Sequence, residues 1–121
     1  MTLLVSLFVG TGILLMLISL PMIRRRVGPN HLYGLRVPAT FADEWVWYEA
    51  NARSGRDLFG LGLMQVMLAI ALALLPSLSE TAYALINAVV ITAGTTLFAI
   101  IGWRRANRLL EQRRRERAGN S

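Results

Sequence analysis

Three stretches of the chain carry no charged side chain: residues 3–23, 58–75 and 82–103. The first is 21 residues long. At 1.5 Å rise per residue a helix of that length reaches about 30 Å, the thickness of a bilayer's hydrocarbon core. Nothing basic precedes it and Arg24-Arg25-Arg26 follows it directly. That is the reverse of a cleaved signal peptide, so the stretch reads as a retained span. The second and third stretches are separated only by residues 76–81, which makes them an antiparallel hairpin. Ser77-x-x-Glu80 has capping-box spacing and predicts that the third helix starts inside that connection. The expected fold is therefore all-α, a single membrane domain over residues 1–121 built as a three-helix bundle.

Charge sharpens this picture. The chain has 121 residues, 55% of them hydrophobic, yet a net charge of +6. All 13 basic residues are arginines, six within 24–57 and seven within 104–121. Three spans place both segments on one side of the membrane. The positive-inside rule makes that side cytoplasmic, with the N-terminus outside. Trp103 lies where an interfacial anchor belongs. The tail, 104–121, reads as a basic continuation of the third helix attracted to anionic lipid headgroups. It lacks the interleaved aromatics and modules of an RNA-binding element, so no nucleic-acid partner is expected.

Segment 24–57 differs from the rest. Tyr33, Phe41, Trp45, Trp47 and Tyr48 crowd into it, with Gly28, Pro29, Asn30, Gly34, Pro38 and Gly55. Gly28-Pro29-Asn30 is a turn signal, and Pro38 disfavours helical dihedrals at Val37. Gly34 reads as a site of positive φ or of close backbone approach. A short amphipathic helix follows, with Thr40 as N-cap, Asp43 and Glu44 in its first turn, and Gly55 at C′. Glu49 and Arg53 make an i,i+4 pair. On this helix Phe41, Trp45, Tyr48 and Ala52 form one stripe. It either lies against the membrane interface or caps the end of the bundle. Trp47 and Asn51 share another face, directed at the 30–38 turn. Arg36, among apolar and turn-forming neighbours, calls for a partner. Asp43, Glu44 or helix-end carbonyls would serve structurally; a lipid phosphate or a partner's carboxylate would serve functionally.

Within the spans, Gln65 and Asn87 are the strongest candidates for a hydrogen bond between helices. Gly10-x-Gly12, Gly60-x-Gly62 and the Ala69, Ala71, Ala73 series read as small residues that let helices approach. No carboxylate or arginine lies in a span, which argues against a proton-coupled pump. Zero cysteines and a single histidine, His31, leave no nucleophile–base set and no metal cluster. The expectation is a protein that is not an enzyme and needs no cofactor.

Pro29-Asn30-x-x-Tyr33-Gly34-x-Arg36-x-Pro38-x-Thr40, with Trp47, Asn51 and Gly55, resembles the signature of the SdpI family. Val37 departs from that pattern, which has Thr after the Arg. The family is named for an immunity protein against a sporulation-delaying toxin. The resemblance implies a multi-pass protein of a bacterial cell membrane that acts by binding. Its partner would be a membrane-active toxin peptide, a regulator sequestered at the membrane, or a larger membrane complex. The alternatives are an oligomeric transport or channel component, lined by Gln65, Asn87 and the span threonines, and an accessory subunit docked through the arginine tail.

Overall fold

The computed structural model describes residues 1–120; Ser121, the end of the tail, lies outside the described residues. Four helices make up the fold: α1 (Thr2–Ile23), α2 (Pro38–Ala42), α3 (Glu44–Ala73) and α4 (Glu80–Gly119). α1, α3 and α4 are each long and apolar enough to cross a membrane. The expected all-α bundle of three spanning helices is what the chain forms. At 40 residues α4 is about 60 Å long, so roughly half of it extends beyond a bilayer's hydrocarbon core.

α3 is the central helix, with α1 packed along one side and α4 along another. The α1–α3 seam is built on small residues. A Cβ on Gly12 would sit 2.6 Å from the Gly62 carbonyl oxygen, and one on Gly62 would sit 2.5 Å from that of Gly12. Seven residues further along α1, the Ser19 carbonyl meets Gly55. In a membrane there is little hydrophobic force between helices, so such close backbone approach is what holds them. Only one glycine of each G-x-G pair does this, because Gly10 and Gly60 have nothing within 4 Å. Of the alanine series, Ala69 is fully buried.

The α3–α4 seam is polar at its centre. Gln65 Nε2 donates to Asn87 Oδ1 at 2.7 Å, and both side chains are fully buried. Asn87 Nδ2 donates to the Tyr83 carbonyl at 2.9 Å, and the Tyr83 hydroxyl to the Ala69 carbonyl at 2.9 Å. The expected interhelical bond is present. α1 and α4 approach each other at their starts, where the N-terminal ammonium pairs with Glu80 at 2.9 Å and Phe8 meets Tyr83 edge-on. Towards the arginine-rich end they diverge.

Three boundaries differ from the sequence reading. The N-cap of α4 is Ser79, whose side chain accepts the Ala82 N–H, and not Ser77. Thr40 is not an N-cap: it is the third residue of α2, and Asp43 caps α3 by accepting the Val46 N–H. Gly55 ends no helix. It lies inside α3, where its missing side chain admits Ser19 and Met22 of α1. The helix read as ending there is thus the start of α3, continuous with the second span. The helical signal simply runs on, because the close approach of α1 needs Gly55 for space and not for a turn.

α1 ends in a Schellman motif. The Arg26 N–H donates to Pro21 and the Arg25 N–H to Met22, with Arg25 at φ 58°. A left-handed conformation costs a non-glycine residue roughly 1–2 kcal/mol. The two Schellman bonds offset this, together with a guanidinium bond from Arg25 to Glu49 of α3 at 2.6 Å.

Candidate functional site

Residues 24–43 fold back over the end of the bundle, and the family-like residues are the fasteners. Asn30 closes its turn on all sides. Its Oδ1 accepts the Leu32 and Tyr33 N–H groups at 2.8 and 2.6 Å, and its Nδ2 donates to Gly28 and Tyr33 carbonyls. The side chain that favours turns by mimicking backbone does so here twice over. Pro29, beside it, is exposed. The Tyr33 hydroxyl donates to the Ile18 carbonyl of α1. Burial without charge stabilisation raises the Tyr33 pKa above its usual value.

Gly34 has φ +98°, and a Cβ there would stand 2.5 Å from Asn51 Oδ1. Both readings of this glycine therefore hold. The same Asn51 oxygen accepts the Leu35 N–H at 2.6 Å, while its Nδ2 donates to the Trp47 carbonyl at 2.9 Å. Trp47 is fully buried, and its indole N–H donates to Val27 at 2.7 Å. Trp47 and Asn51 thus face the turn, as their shared helix face predicted.

Pro38 occupies the first position of α2, where a missing N–H costs nothing. The Thr40 hydroxyl accepts the Val37 N–H at 3.1 Å and lies 3.0 Å from the Leu35 carbonyl, to which it donates. Val37 is the N-cap of α2, so the departure from the family pattern falls where a threonine hydroxyl would cap. Val37 is buried against Ala106 and Leu109 instead. Packing against α4 stands where a cap would otherwise be.

The stripe on the start of α3 divides. Ala52 is buried, Trp45 and Tyr48 are half-buried, and Phe41 is 45% exposed. Arg36 is exposed, and it touches neither Asp43 nor Glu44. It donates to the His31 carbonyl, closing the 31–36 turn. Glu49 is clamped between Arg25 and Arg53, the latter at 3.0 Å; the Arg25 bond, foremost, holds its carboxyl below the usual range.

The tail belongs to this unit, which the sequence reading missed. Val37, Ala39, Val46, Ala50, Ala106 and Leu109 form one apolar core, with Leu35, Trp45 and Leu110 packed on it. Asp43 Oδ2 accepts from Arg117 at 2.8 Å and stands 3.6 Å from Arg113, whose guanidinium also lies 5.4 Å from the centre of the Trp45 ring. Arg105 pairs with Asp57 at 3.0 Å. The signal was present: Gly102, Ala106, Leu109 and Arg113 are spaced four, three and four, one face of a helix. Among the described residues no group of His, Cys, Asp or Glu could hold a metal ion.

This unit can be compared with known proteins. A family model for the SdpI/YfhL proteins matches residues 26–102. The chain belongs to the SdpI/YfhL protein family. No curated protein and no solved structure matches it. With three spanning helices it is a multi-pass membrane protein of that family. The SdpI/YfhL match begins at Arg26 and ends at Gly102, so it covers the whole turn, α2, α3 and the spanning part of α4.

Below the turn lies an apolar cleft of about 300 Å³. Ile18 and Met22 of α1 form one wall, Thr95, Phe98 and Ala99 of α4 the other, and Leu32 to Leu35 the roof.

Proposed function

We propose that the protein acts by binding, as a membrane-anchored platform on the cytoplasmic face. The observation that carries this reading is how the motif uses its polar groups. Asn30, Asn51, Thr40 and Trp47 direct their hydrogen bonds inward and fix the turn. What the fixed turn displays is His31, Leu32, Arg36 and Phe41, all exposed, with His31 stacked 5.6 Å from Phe41. Rigid, exposed apolar and cationic groups suit recognition, since little freedom is lost on binding. Asp43, Glu49 and Asp57 are engaged as a cap and as ion-pair partners and none of them pairs with His31, so we read no enzyme here.

The membrane-sequestered regulator is the partner this face suits best. Immunity to a membrane-active toxin peptide would follow from it indirectly. By the positive-inside rule the two arginine segments favour an intracellular position for the platform, away from an external peptide. Gln65 donates to Asn87 and both side chains are fully buried, which speaks against their lining a transport path.

The test is deletion of the gene, challenge with membrane-active toxin peptides, and complementation. Wild type restores resistance, and Leu32→Ser with Arg36→Gln does not. Unchanged sensitivity after deletion rejects the immunity role. Full rescue by the double variant rejects the platform.

A further inference from the structure

The cleft under the turn lies where the two outer helices part. α1 and α4 converge at Phe8–Tyr83 and are held apart by the cleft at Ile18 and Phe98. α3 forms the back through Ser54 and Leu58. The cytoplasmic end is shut where Leu35 and Ser54 close on Gly102. The remaining side opens between two spanning helices, towards the bilayer. An opening at that depth faces hydrocarbon and not water.

The volume limits what enters. About 300 Å³ is at the small end for ligand sites. A peptide helix about 10 Å across fills more than that in a single turn. A length of hydrocarbon chain fits. The charge at the rim selects the class of molecule. Arg36 follows the roof residues directly and has one bond, to the His31 carbonyl, leaving most of its five N–H donors free. Arg24 and Arg26 follow Met22 of the wall by two and four residues. Among the described residues none of these three arginines has an acidic partner, unlike Arg25, Arg53 and Arg105. Leu32, at the lip, is 91% exposed, so an apolar side chain stands ready with nothing of the chain against it.

We propose that the cleft holds one acyl chain of an anionic phospholipid drawn from the leaflet on the arginine-rich side. The headgroup phosphate sits on Arg36, and Leu32 closes over the chain. Guanidinium binding to phosphate is charge-assisted and two-pronged, which favours an anionic over a zwitterionic headgroup. The site shares Leu32 and Arg36 with the platform proposed above, but lipid retention is read directly and Ala99→Phe lies outside that face, so the two readings fail separately. A bound lipid would brace α1 against α4 where they do not touch.

The experiment is native mass spectrometry of the full chain released from nanodiscs of equal phosphatidylglycerol and phosphatidylcholine with identical acyl chains. Wild type should keep one lipid per chain, with phosphatidylglycerol preferred about fivefold, the effect of one arginine near a lipid surface. Ala99→Phe fills the cleft from an exposed position and should abolish retention. Arg36→Gln should keep the lipid but lose the preference, and Arg36→Lys should restore much of it. Leu32→Ser cannot disturb the core and should weaken retention even if Ala99→Phe misfolds. Equal retention of both lipids by wild type overturns the proposal. So does retention unchanged in Ala99→Phe and Leu32→Ser. A protein dimer in place of bound lipid, abolished by those variants, overturns it in favour of a second copy of the chain.

Discussion

Asp43 and Arg117 are 74 positions apart in the chain and 2.8 Å apart in space. The carboxylate divides its work: Oδ1 accepts the Val46 N–H that starts α3, and Oδ2 takes Arg117 with Arg113 near. Asp43→Asn separates the two roles, because asparagine caps a helix as well as aspartate does. It should leave α3 intact and loosen the end of α4. Asp43 is buried but Arg117 is largely exposed, so the pair is worth about 1 kcal/mol, and trypsin should cut after Arg113, Arg114, Arg115 and Arg117 roughly fivefold faster. High salt should bring wild type towards the variant. Equal digestion at low salt would show that the apolar contacts of Leu109 hold the tail alone.

The seam between α1 and α3 gives a paired contrast. Gly62→Ala places a methyl group 2.5 Å from the Gly12 carbonyl oxygen and 2.9 Å from Met16 Cγ. One of these is backbone, so the helices must separate. Overpacking of this kind costs about 1–3 kcal/mol. Gly60→Ala, two residues away, meets nothing within 4 Å. It should be neutral, or stabilising by up to about 1 kcal/mol through helix propensity. Unfolding in mixed detergent micelles measures both, and equal values for the two variants would refute the seam.

These cases show what was legible in the sequence. The charge-free runs announced the spanning helices, because a bilayer forbids charge whatever the tertiary structure. Asn51 and Trp47 were placed against the turn by helical period alone. Gly62 was recognised as a packing residue, but its partner on α1 was not, since which small residues meet depends on the register of two helices. Asp43 was read in the first turn of a helix, and its link to Arg117 was out of reach. A contact across 74 positions leaves no local pattern. The tail reads as a lipid-directed basic end because its arginines dominate it, while Ala106 and Leu109, its two buried residues, are a small part of its composition.

Asn51 carries the turn. Asn51→Leu removes the acceptor of the buried-side Leu35 N–H and leaves that donor without a partner. The penalty for such an orphan is about 1–3 kcal/mol. Hydrogen exchange should report it first at Leu35, with the 28–37 amides following as the turn opens. Gly34→Ala should act at the same place, because it combines a strained φ with a clash on the Asn51 side chain. The double variant should therefore cost less than the sum. Strict additivity would mean that the two residues hold separate parts of the turn.

Glu49 adds a pH dependence whose sign is fixed by its partners. Arg25 and Arg53 lower its pKa below the ordinary 4.5 in the folded chain. The folded state thus binds the proton less readily than the unfolded one. Its contribution is complete above the ordinary value and is lost as pH falls through the lowered one. Glu49→Gln should melt earlier than wild type at neutral pH, and the gap should close in acid. A gap of constant size would place the effect of the substitution in packing. Arg25, which loses this partner, should then show faster local exchange in acid.

Gln65 and Asn87 test how a polar pair behaves inside the bundle. The bond between them is 2.7 Å, and Gln65 Oε1 has no partner of its own. Bonds of this type in membranes are worth about 0.6 and at most roughly 1.7 kcal/mol. Asn87→Leu leaves the Gln65 amide wholly unpaired, so it should cost more than the bond itself. Gln65→Leu frees only Asn87 Oδ1, because Asn87 Nδ2 keeps the Tyr83 carbonyl. It should be the milder change. Replacing both partners removes the unmet groups together and should recover most of the loss. A double-variant cycle in bicelles measures this, with the coupling expected above about 0.6 and up to roughly 1.7 kcal/mol. Zero coupling would show that each amide finds another partner once the first is gone, and that the pair fixes the register of α3 on α4 without adding to its strength.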